Sequence, residues 1–392
     1  MHPPGAQTVL VRHGDLNTKS NVVKRQMVDL LVENLEAVLE DRSVPGTVES
    51  AWNRPLIHTS EADVLEVAQT AADVFGIVST SPALTVETDL DTICDALATT
   101  ALETYTEGTF AVDAHRADKR HPYTSEDVAR AGGTAIWEAV EGEFEPSVDL
   151  EEPDYTFSVE IREEAAYIYT DSIQGPGGLP LRSQAPMVAL ISGGIDSPVA
   201  AYELMRRGSP VIPVYVGLGD YGGPDHEARA LETVRTLATY APNTDMSVYR
   251  VPGGETMRLL AEAMEEGRML SMRRFLYRVA EHIAGTVGAH GIVTGEAIGQ
   301  KSSQTAQNIG VTSRATRLPI HRPLLTRDKQ DIVSQARAIG TFDDSTINAG
   351  CNRIAPERAE TNANLERLLE FEPDDLFERA KTAAAEATII EV

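Results

Sequence analysis

Cysteine is nearly absent from this chain: two residues, Cys94 and Cys351, among 392. That count excludes a disulfide-stapled secreted fold, a four-thiolate zinc site and an iron–sulfur cluster held by four cysteines of the chain. Long apolar runs are missing too. Nothing approaches the ~18 residues of a membrane-spanning helix, so no membrane association is expected. The N-terminus lacks the basic-then-apolar order of a secretory signal, which makes a cytoplasmic protein the expectation. Lysine is scarce: six of the 34 basic residues are lysine and the rest arginine. Sixty acids stand against those 34, for a net charge of −26. This is the pattern of a generic acidic cytosolic protein or of one adapted to molar salt, and we prefer the second. At ~1 M salt the Debye length falls to ~3 Å, so surface carboxylates no longer repel one another strongly. Acidity of that kind does not exclude an RNA partner.

A length of 392 residues predicts two or three domains, and 42% hydrophobic with 24% charged residues suits packed globular ones. The clearest boundary is 174–185, QGPGGLPLRSQA, where three glycines and two prolines break any regular element. Before it, strand-like runs at 9–12, 110–112 and 157–161 alternate with helix-like runs at 22–40, 61–74 and 126–142, a pattern of small α+β modules. After it, strands are predicted at 187–191, 211–216, 246–251 and 291–294, and helices at 199–207, 255–266 and 273–287. Such alternation predicts a doubly wound parallel sheet, with ligands at the carboxyl ends of its strands.

The most informative stretch is VALISGGIDSPVA, residues 188–200. A strand ends at Ile191, the segment Ser192-Gly193-Gly194-Ile195-Asp196-Ser197 turns, and a helix is expected to begin at Pro198. Glycines permit positive φ and let backbone N–H groups approach an anion, and a helix N-terminus adds partial positive charge. Ser192 and Ser197 can donate hydroxyl hydrogen bonds. Asp196 is an unexpected charge beside phosphate, and its natural role is to hold Mg²⁺ bridging to a polyphosphate. The lysine of a Walker loop is missing. A Gly-Gly turn with a Ser/Asp helix cap is the plainer reading of the same residues.

A second cluster is VTGEAIGQKSSQTAQ, residues 293–307. Gly295 permits close backbone approach, and Gln304 can pair with a base edge or a phosphate. Lys329, at a helix start, can neutralise phosphate or simply be a solvated cap residue. Cys351 lies in the polar stretch NAGCNR, where Arg353 could lower its thiol pKa. Cys94, beside Ile93 and Leu97, reads as a small core residue.

The hexapeptide SGGIDS resembles the pyrophosphate loop of the N-type ATP pyrophosphatases. The chain as a whole resembles the tRNA 4-thiouridine synthetases, over nearly its full length. The resemblance is carried by VRHGDL at 11–16 with Lys19 and Arg25, by RADKR at 116–120, by GPGGLP at 175–180, and by Thr294-Gly295-Glu296 with Gly299-Gln300 and Ser303-Gln304-Thr305. Arg322-Pro323-Leu324 and Asp328-Lys329 complete it. It implies a ferredoxin-like domain at 1–75, a THUMP RNA-binding domain at 76–172 and a pyrophosphate-loop catalytic domain at 173–392. It implies ATP and Mg²⁺ as cofactors, adenylation of O4 of tRNA uridine 8, and displacement of AMP by sulfur. ATP would then touch Leu190, Ile191, Tyr215, Val216, Arg273, Gly295, Gln304 and the 192–197 loop. Tyr215-Val216 departs from the His-Phe typical of the family. Cys351 falls at the family's catalytic cysteine, with Asp196 and Lys329 as the other catalytic groups.

The chain ends about 40 residues past Cys351, which leaves no room for the rhodanese domain of the bacterial long form. The C-x-x-C pair of some archaeal relatives is replaced by Met269 and Met272. The sulfur donor is therefore external: sulfide, a persulfide carrier or a ubiquitin-like thiocarboxylate protein. A homodimer is plausible by the same resemblance. For tRNA, Arg116, Lys119 and Arg120 form one basic island, and Arg12, Lys19, Lys24 and Arg25 a second. Phosphate contacts or solvated faces paired with local acids would both account for them. The alternative functions are a related ATP pyrophosphatase acting in thiamine thiazole sulfur transfer or on a small-molecule carbonyl, and an inactive RNA-binding protein.

Overall fold

A computed structural model describes residues 2–14, 20–50, 54–117, 120–222, 224–345 and 360–392. The chain divides into two compact units, Met1–Pro180 and Leu181–Val392.

The first unit is built on one sheet. Its elements are β1 (Thr8–His13), α1 (Asn21–Asp41), β2 (Thr47–Glu49), β3 (Leu56–His58), α2 (Val64–Ala72), β4 (Ile77–Val86), α3 (Leu90–Thr104), β5 (Thr109–Arg116), α4 (Ser125–Val140), β6 (Ser147–Val148), β7 (Tyr155–Ile161), β8 (Ala166–Tyr169) and β9 (Ile173–Gln174). The strand order is β2-β3-β1-β4-β8-β7-β5-β6, with β9 also on β4. Two cores lie on this sheet. Leu31 and Leu35 of α1 and Val64, Val67 and Ala71 of α2 pack with Val9, Val11 and Ile57. Ile93 and Leu97 of α3 and Val128 and Ile136 of α4 pack with Phe110, Phe157 and Ile168. A fully buried aliphatic side chain contributes about 1.5–3 kcal/mol relative to exposure, so the periodic stripes select these faces.

β4 runs through both halves. It pairs with β1 from Ile77 to Ala83, with β9 at Ser79 and Thr80, and with β8 from Leu84 to Val86. Pro82, which cannot donate to a ladder, falls where β4 exchanges β9 for β8. The run 77–86 was not anticipated as a strand. Cys94 of α3 is half-buried rather than in the core: Ile93 and Leu97 occupy the inward stripe and Cys94 lies one step around the helix. Burial and the nearby Asp91, Asp95 and Asp89 raise its thiol pKa.

The second unit comprises β10 (Met187–Ile191), α5 (Asp196–Arg206), β11 (Val211–Gly217), α6 (Pro224–Ala238), β12 (Val248–Pro252), α7 (Gly254–Ala263), α8 (Arg268–Val287), β13 (Ile292–Val293), α9 (Ala306–Ser313), β14 (Ile320–His321), α10 (Lys329–Ala338), α11 (Phe342–Ser345), α12 (Leu365–Phe371), α13 (Leu376–Ala385) and β15 (Thr388–Ile390). The sheet order is β14-β13-β10-β11-β12-β15, parallel except for the antiparallel edge strand β15. This is the expected doubly wound sheet. Val188, Val214 and Val216 pack on Phe275, Val279 and Ile283 of α8 on one face. On the other face Tyr215 meets His226 of α6.

Two boundaries differ instructively. α5 begins at Asp196, two residues before Pro198, because a first-turn residue needs no N–H. α8 begins at Arg268 rather than 273, introduced by Gly267 at φ 70°.

Candidate active site

β10 sits at the switch point of the sheet: β11 follows on one side and β13 on the other. The loops leaving β10 and β13 therefore diverge above adjacent strand ends, which opens a crevice. A cavity of about 340 Å³ occupies it. Its polar rim includes Ser192, Gly194, Asp196, Ser197, Gly295, Lys301 and Gln304, and its apolar wall Leu190, Val214, Val216, Met269, Met272 and Leu276.

The 192–197 loop is held by its own serines. Ser192 N donates to Ser197 Oγ at 2.9 Å, and Ser197 Oγ donates to Ser192 O at 3.2 Å. Neither Gly193 nor Gly194 has positive φ. Close approach explains Gly193 instead: a Cβ there would lie 2.9 Å from His226 O. Gly295 is tighter still. Its Cβ would lie 2.6 Å from Asp196 C and 2.8 Å from Ser197 N, so the loop after β13 is pressed directly on the start of α5.

Asp196, first residue of α5, faces two partners. Lys329 Nζ, at the start of α10, approaches Oδ1 at 2.6 Å, and Gln300 Nε2 donates to Oδ2 at 3.1 Å. The pairing spans 133 residues of sequence and brings both proposed catalytic groups to the rim. α10 is seated by Gln335, which donates to Glu203 of α5 at 2.6 Å, and by Arg327, whose guanidinium reaches Glu203 at 3.4 Å.

Beneath the rim lies an ionic cluster that the spacing of the sequence did not disclose. Glu296 is 3% exposed. It accepts from Arg273, from Arg322 Nε at 2.7 Å and from Tyr277 Oη at 2.5 Å. Burial by itself would raise the Glu296 carboxyl, but Arg273 and Arg322 outweigh it and hold the group below its ordinary value of 4.5. Burial, and then the Glu296 charge, push the Tyr277 hydroxyl well upward. Gln304 completes the cluster: with its amide turned so that both ends find complementary partners, Nε2 donates to Ala297 O at 2.8 Å and Oε1 accepts from Arg273 Nη2 at 2.9 Å. Glu296 and Arg322 stand in motifs noted above, and an acid directly after a buried strand and glycine was the available signal.

Of the residues expected around ATP, Leu190, Ile191, Ser192, Gly194, Asp196, Ser197, Val216, Arg273, Gly295 and Gln304 line this cavity. Gly193 backs the loop without lining it. Tyr215 points away, because strand alternation sends it to the opposite face, where its hydroxyl lies 3.2 Å from His226 Nδ1. It lines a neighbouring cavity with Arg250 and Gly254. Met269 and Met272 stand in the apolar wall. Cys351, Lys19 and Lys119 lie outside the described residues.

The basic islands differ in their environments. Arg12 donates to Ser81 Oγ at 3.0 Å, lies 3.7 Å from Glu160 and stacks over Tyr169 at 4.6 Å. Arg116 donates to the carbonyls of His121 and Tyr123. Both guanidiniums are thus engaged inside the first unit. Arg120 is exposed and pairs with the equally exposed Glu163. Arg25 is exposed at the start of α1, lining a cavity with Lys24 and Ser50.

Three family profiles match in succession: the ThiI ferredoxin-like domain over residues 8–81, the THUMP domain over 87–171, and thiamine biosynthesis protein (ThiI) over 182–375. A probable tRNA sulfurtransferase of Halobacterium salinarum is 55% identical over 392 residues, covering 100% of this chain and 99% of its own. The chain belongs to the tRNA sulfurtransferase family. A family member from Methanosarcina acetivorans is 39% identical over 365 residues, covering 92% of this chain and 88% of its own. A crystal structure of a 4-thiouridine synthetase–RNA complex with bound ATP aligns with a TM-score of 0.83 at 28% identity, covering 98% of this chain and 100% of that one. A Pyrococcus horikoshii protein aligns at 0.66 and 25% identity, covering 85% and 99%. The fold class expected from the sequence is that of the sulfurtransferases: ferredoxin-like and THUMP modules ahead of a parallel-sheet pyrophosphatase domain. Among the described residues no helix is long and apolar enough to cross a membrane.

Proposed function

We propose that this sulfurtransferase uses ATP to adenylate O4 of uridine 8 in tRNA and then replaces that oxygen with sulfur, releasing pyrophosphate and AMP and leaving 4-thiouridine. The observation that carries the reading is the cleft itself. A glycine-containing loop and helix start, an Asp196–Lys329 pair and an apolar wall meet at one switch point. The aliphatic and methionine side chains offer a face to adenine, and the loop and the α5 N-terminus offer donors to phosphate. The family's described relative with RNA and bound ATP supports both ligands.

A carbonyl oxygen is a poor leaving group. In the first step O4 bonds to the α-phosphorus, the bond from that phosphorus to the β-bridging oxygen breaks, and pyrophosphate departs. Backbone donors of 192–197 and the Lys329 ammonium stabilise the charge that accumulates on it. Mg²⁺ fits the rim. The Asp196 carboxylate and Gln300 Oε1, a buried oxygen without a partner among the described residues, are hard oxygen donors of the kind it takes beside phosphates. When bound, it would supply further neutralisation of the phosphates. Among the described residues no group of three acidic, histidine or cysteine side chains could hold a metal unaided. In the second step sulfur bonds to C4, the C4–O bond breaks and AMP leaves with the oxygen. Cys351 takes that sulfur from an external persulfide donor: its thiolate attacks the donor's outer sulfur and the donor's thiol leaves, the Cys351 persulfide bonds to C4, and an external thiol then bonds to the Cys351 sulfur, breaking the S–S bond and leaving sulfur on C4. Sulfide is already at the oxidation level of the product and attacks C4 directly, without passing through Cys351. Arg25 and Arg120, with Lys19 and Lys119, contact tRNA phosphates.

The test is thiolation at molar KCl with ATP and tRNA, offering sulfide or a persulfide carrier, followed by mass spectrometry of the nucleosides. Formation of 4-thiouridine with one AMP each is expected. Formation of ADP, or no 4-thiouridine with any donor, overturns the reading. With the persulfide carrier as donor, Cys351→Ser is expected to abolish thiolation and retain ATP–pyrophosphate exchange.

A further inference from the structure

We propose that His226 is a nucleotide-binding residue whose Nε2–H donates to a phosphate oxygen of ATP held over the 192–197 loop, and that Tyr215, on the far side of the ring, positions the imidazole for this contact. The proposal rests on the ATP-dependent function above and names a further group of that site. His226 stands in the first turn of α6, on a stripe whose later members Ala230, Val234 and Leu237 are buried apolar side chains. It is 3% exposed, yet it forms part of the lining of the nucleotide cleft. A polar ring on an apolar stripe costs free energy unless its nitrogens are used.

Two observations fix the orientation of the ring. Nδ1 lies 3.2 Å from the hydroxyl of Tyr215, itself buried on β11. The opposite edge meets the phosphate loop: a Cβ built on Gly193 would lie 3.3 Å from Cδ2, the ring carbon bonded to Nε2. The imidazole is thus gripped at one nitrogen by the strand and carries the other on the edge that faces the loop. Burial, and then Arg229, hold its pKa below the usual value, so the ring is neutral at pH 7. A neutral imidazole has one N–H and one bare nitrogen. With the Tyr215 hydroxyl donating to Nδ1, the ring proton resides on Nε2, and the loop-facing edge becomes a donor. Phosphate oxygens only accept, and a rigid neutral donor adds to the backbone N–H groups of the loop without needing a counter-charge. Tyr215 therefore bears on the cleft although its own side chain points to the neighbouring cavity.

The test uses the full chain and reads three quantities: the Kd for ATP by calorimetry, kcat/KM for ATP in tRNA-dependent ATP–pyrophosphate exchange, and the thermal midpoint. His226→Asn keeps a nitrogen near the Nδ1 position and removes the one at Nε2. Its Kd for ATP should rise about 10- to 100-fold, the scale of a hydrogen bond to a charged group, with kcat/KM falling in step. His226→Gln places an amide nitrogen near the Nε2 position and should recover at least about fivefold of that loss. Tyr215→Phe removes only the hydroxyl and should weaken ATP binding about two- to tenfold. A folded His226→Asn enzyme with ATP affinity within about twofold of the parent overturns the proposal. Equal losses in His226→Asn and His226→Gln overturn it as well, since packing rather than the Nε2 donor would then set the affinity. If His226→Asn does not fold, unchanged ATP affinity in Tyr215→Phe overturns it. An unsubstituted enzyme that binds no ATP overturns the underlying function instead.

Discussion

Glu296→Gln is the sharpest test of the cluster beneath the cleft. The substitution keeps the shape of the side chain and removes its charge. Two arginines, 14% and 11% exposed in their side chains, then face a neutral amide in a buried setting. Removing one partner of a buried ion pair costs about 3–5 kcal/mol, because the remaining charge is left without compensation. For a unit of this size each kcal/mol moves the thermal midpoint by about 2–4 °C, so a loss of at least about 6 °C is expected. The loss should persist at molar KCl, since salt screens buried pairs little. The exposed pair Arg258–Glu262 sets the contrast: its groups are 62% and 61% exposed, and Glu262→Gln should cost under about 0.5 kcal/mol. Because Arg273 also lines the cleft, ATP should bind more weakly to Glu296→Gln. The sign of the pH dependence follows from the depressed carboxyl. Its contribution is fully present above about pH 4.5 and is lost as pH falls through the lower folded value. Thermal and urea unfolding of both variants measure this. A Glu296→Gln protein within about 1 kcal/mol of the parent, with unaltered ATP binding, would refute the reasoning.

Three further outcomes are expected. Gly295→Ala should abolish ATP–pyrophosphate exchange, because its methyl carbon would sit 2.6 Å from backbone Asp196 C, which no rotamer can relieve; retained exchange would deny the close packing. Lys329→Ala should lower exchange by about 100-fold, the scale for removing one charge-stabilising group, with little change in stability, since the Lys329 side chain is 47% exposed; stopped assays of pyrophosphate formation report it. Arg120→Glu should weaken tRNA binding without altering the thermal midpoint, whereas Arg116→Glu should lower the midpoint as well, because its guanidinium serves the carbonyls of His121 and Tyr123; filter binding and calorimetry together separate the two.

The site was legible where the chemistry is local. The 192–197 loop, the strand at 187–191 and the glycine at 295 announce themselves by residue type and order, since turn geometry and anion binding are properties of a few adjacent residues. What escaped is tertiary. Nothing near position 296 in sequence shows that Arg273, Tyr277 and Arg322 converge on it. Arg12 and Arg116 read as a basic surface because charge composition cannot report that Ser81, Glu160 or two backbone carbonyls await them inside the first unit. Helix α6 was missed because its stripe is interrupted by His226 and Arg229, both buried but polar. Gly193 and Gly194 were anticipated for positive φ, which neither adopts, and Gly193 serves proximity instead; the close backbone approach anticipated at Gly295 is present, but its neighbour, the start of α5, is remote in the chain.

Strand β4 has a consequence for how the N-terminal half can be dissected. The ferredoxin-like profile ends at residue 81 and the THUMP profile begins at 87, so the nominal border between them falls within one continuous strand. Severing the chain there would strip hydrogen-bonding partners from β1 and β8 together. The two modules are therefore welded along a common backbone, and they should melt in a single cooperative event even though their hydrophobic interiors are separate.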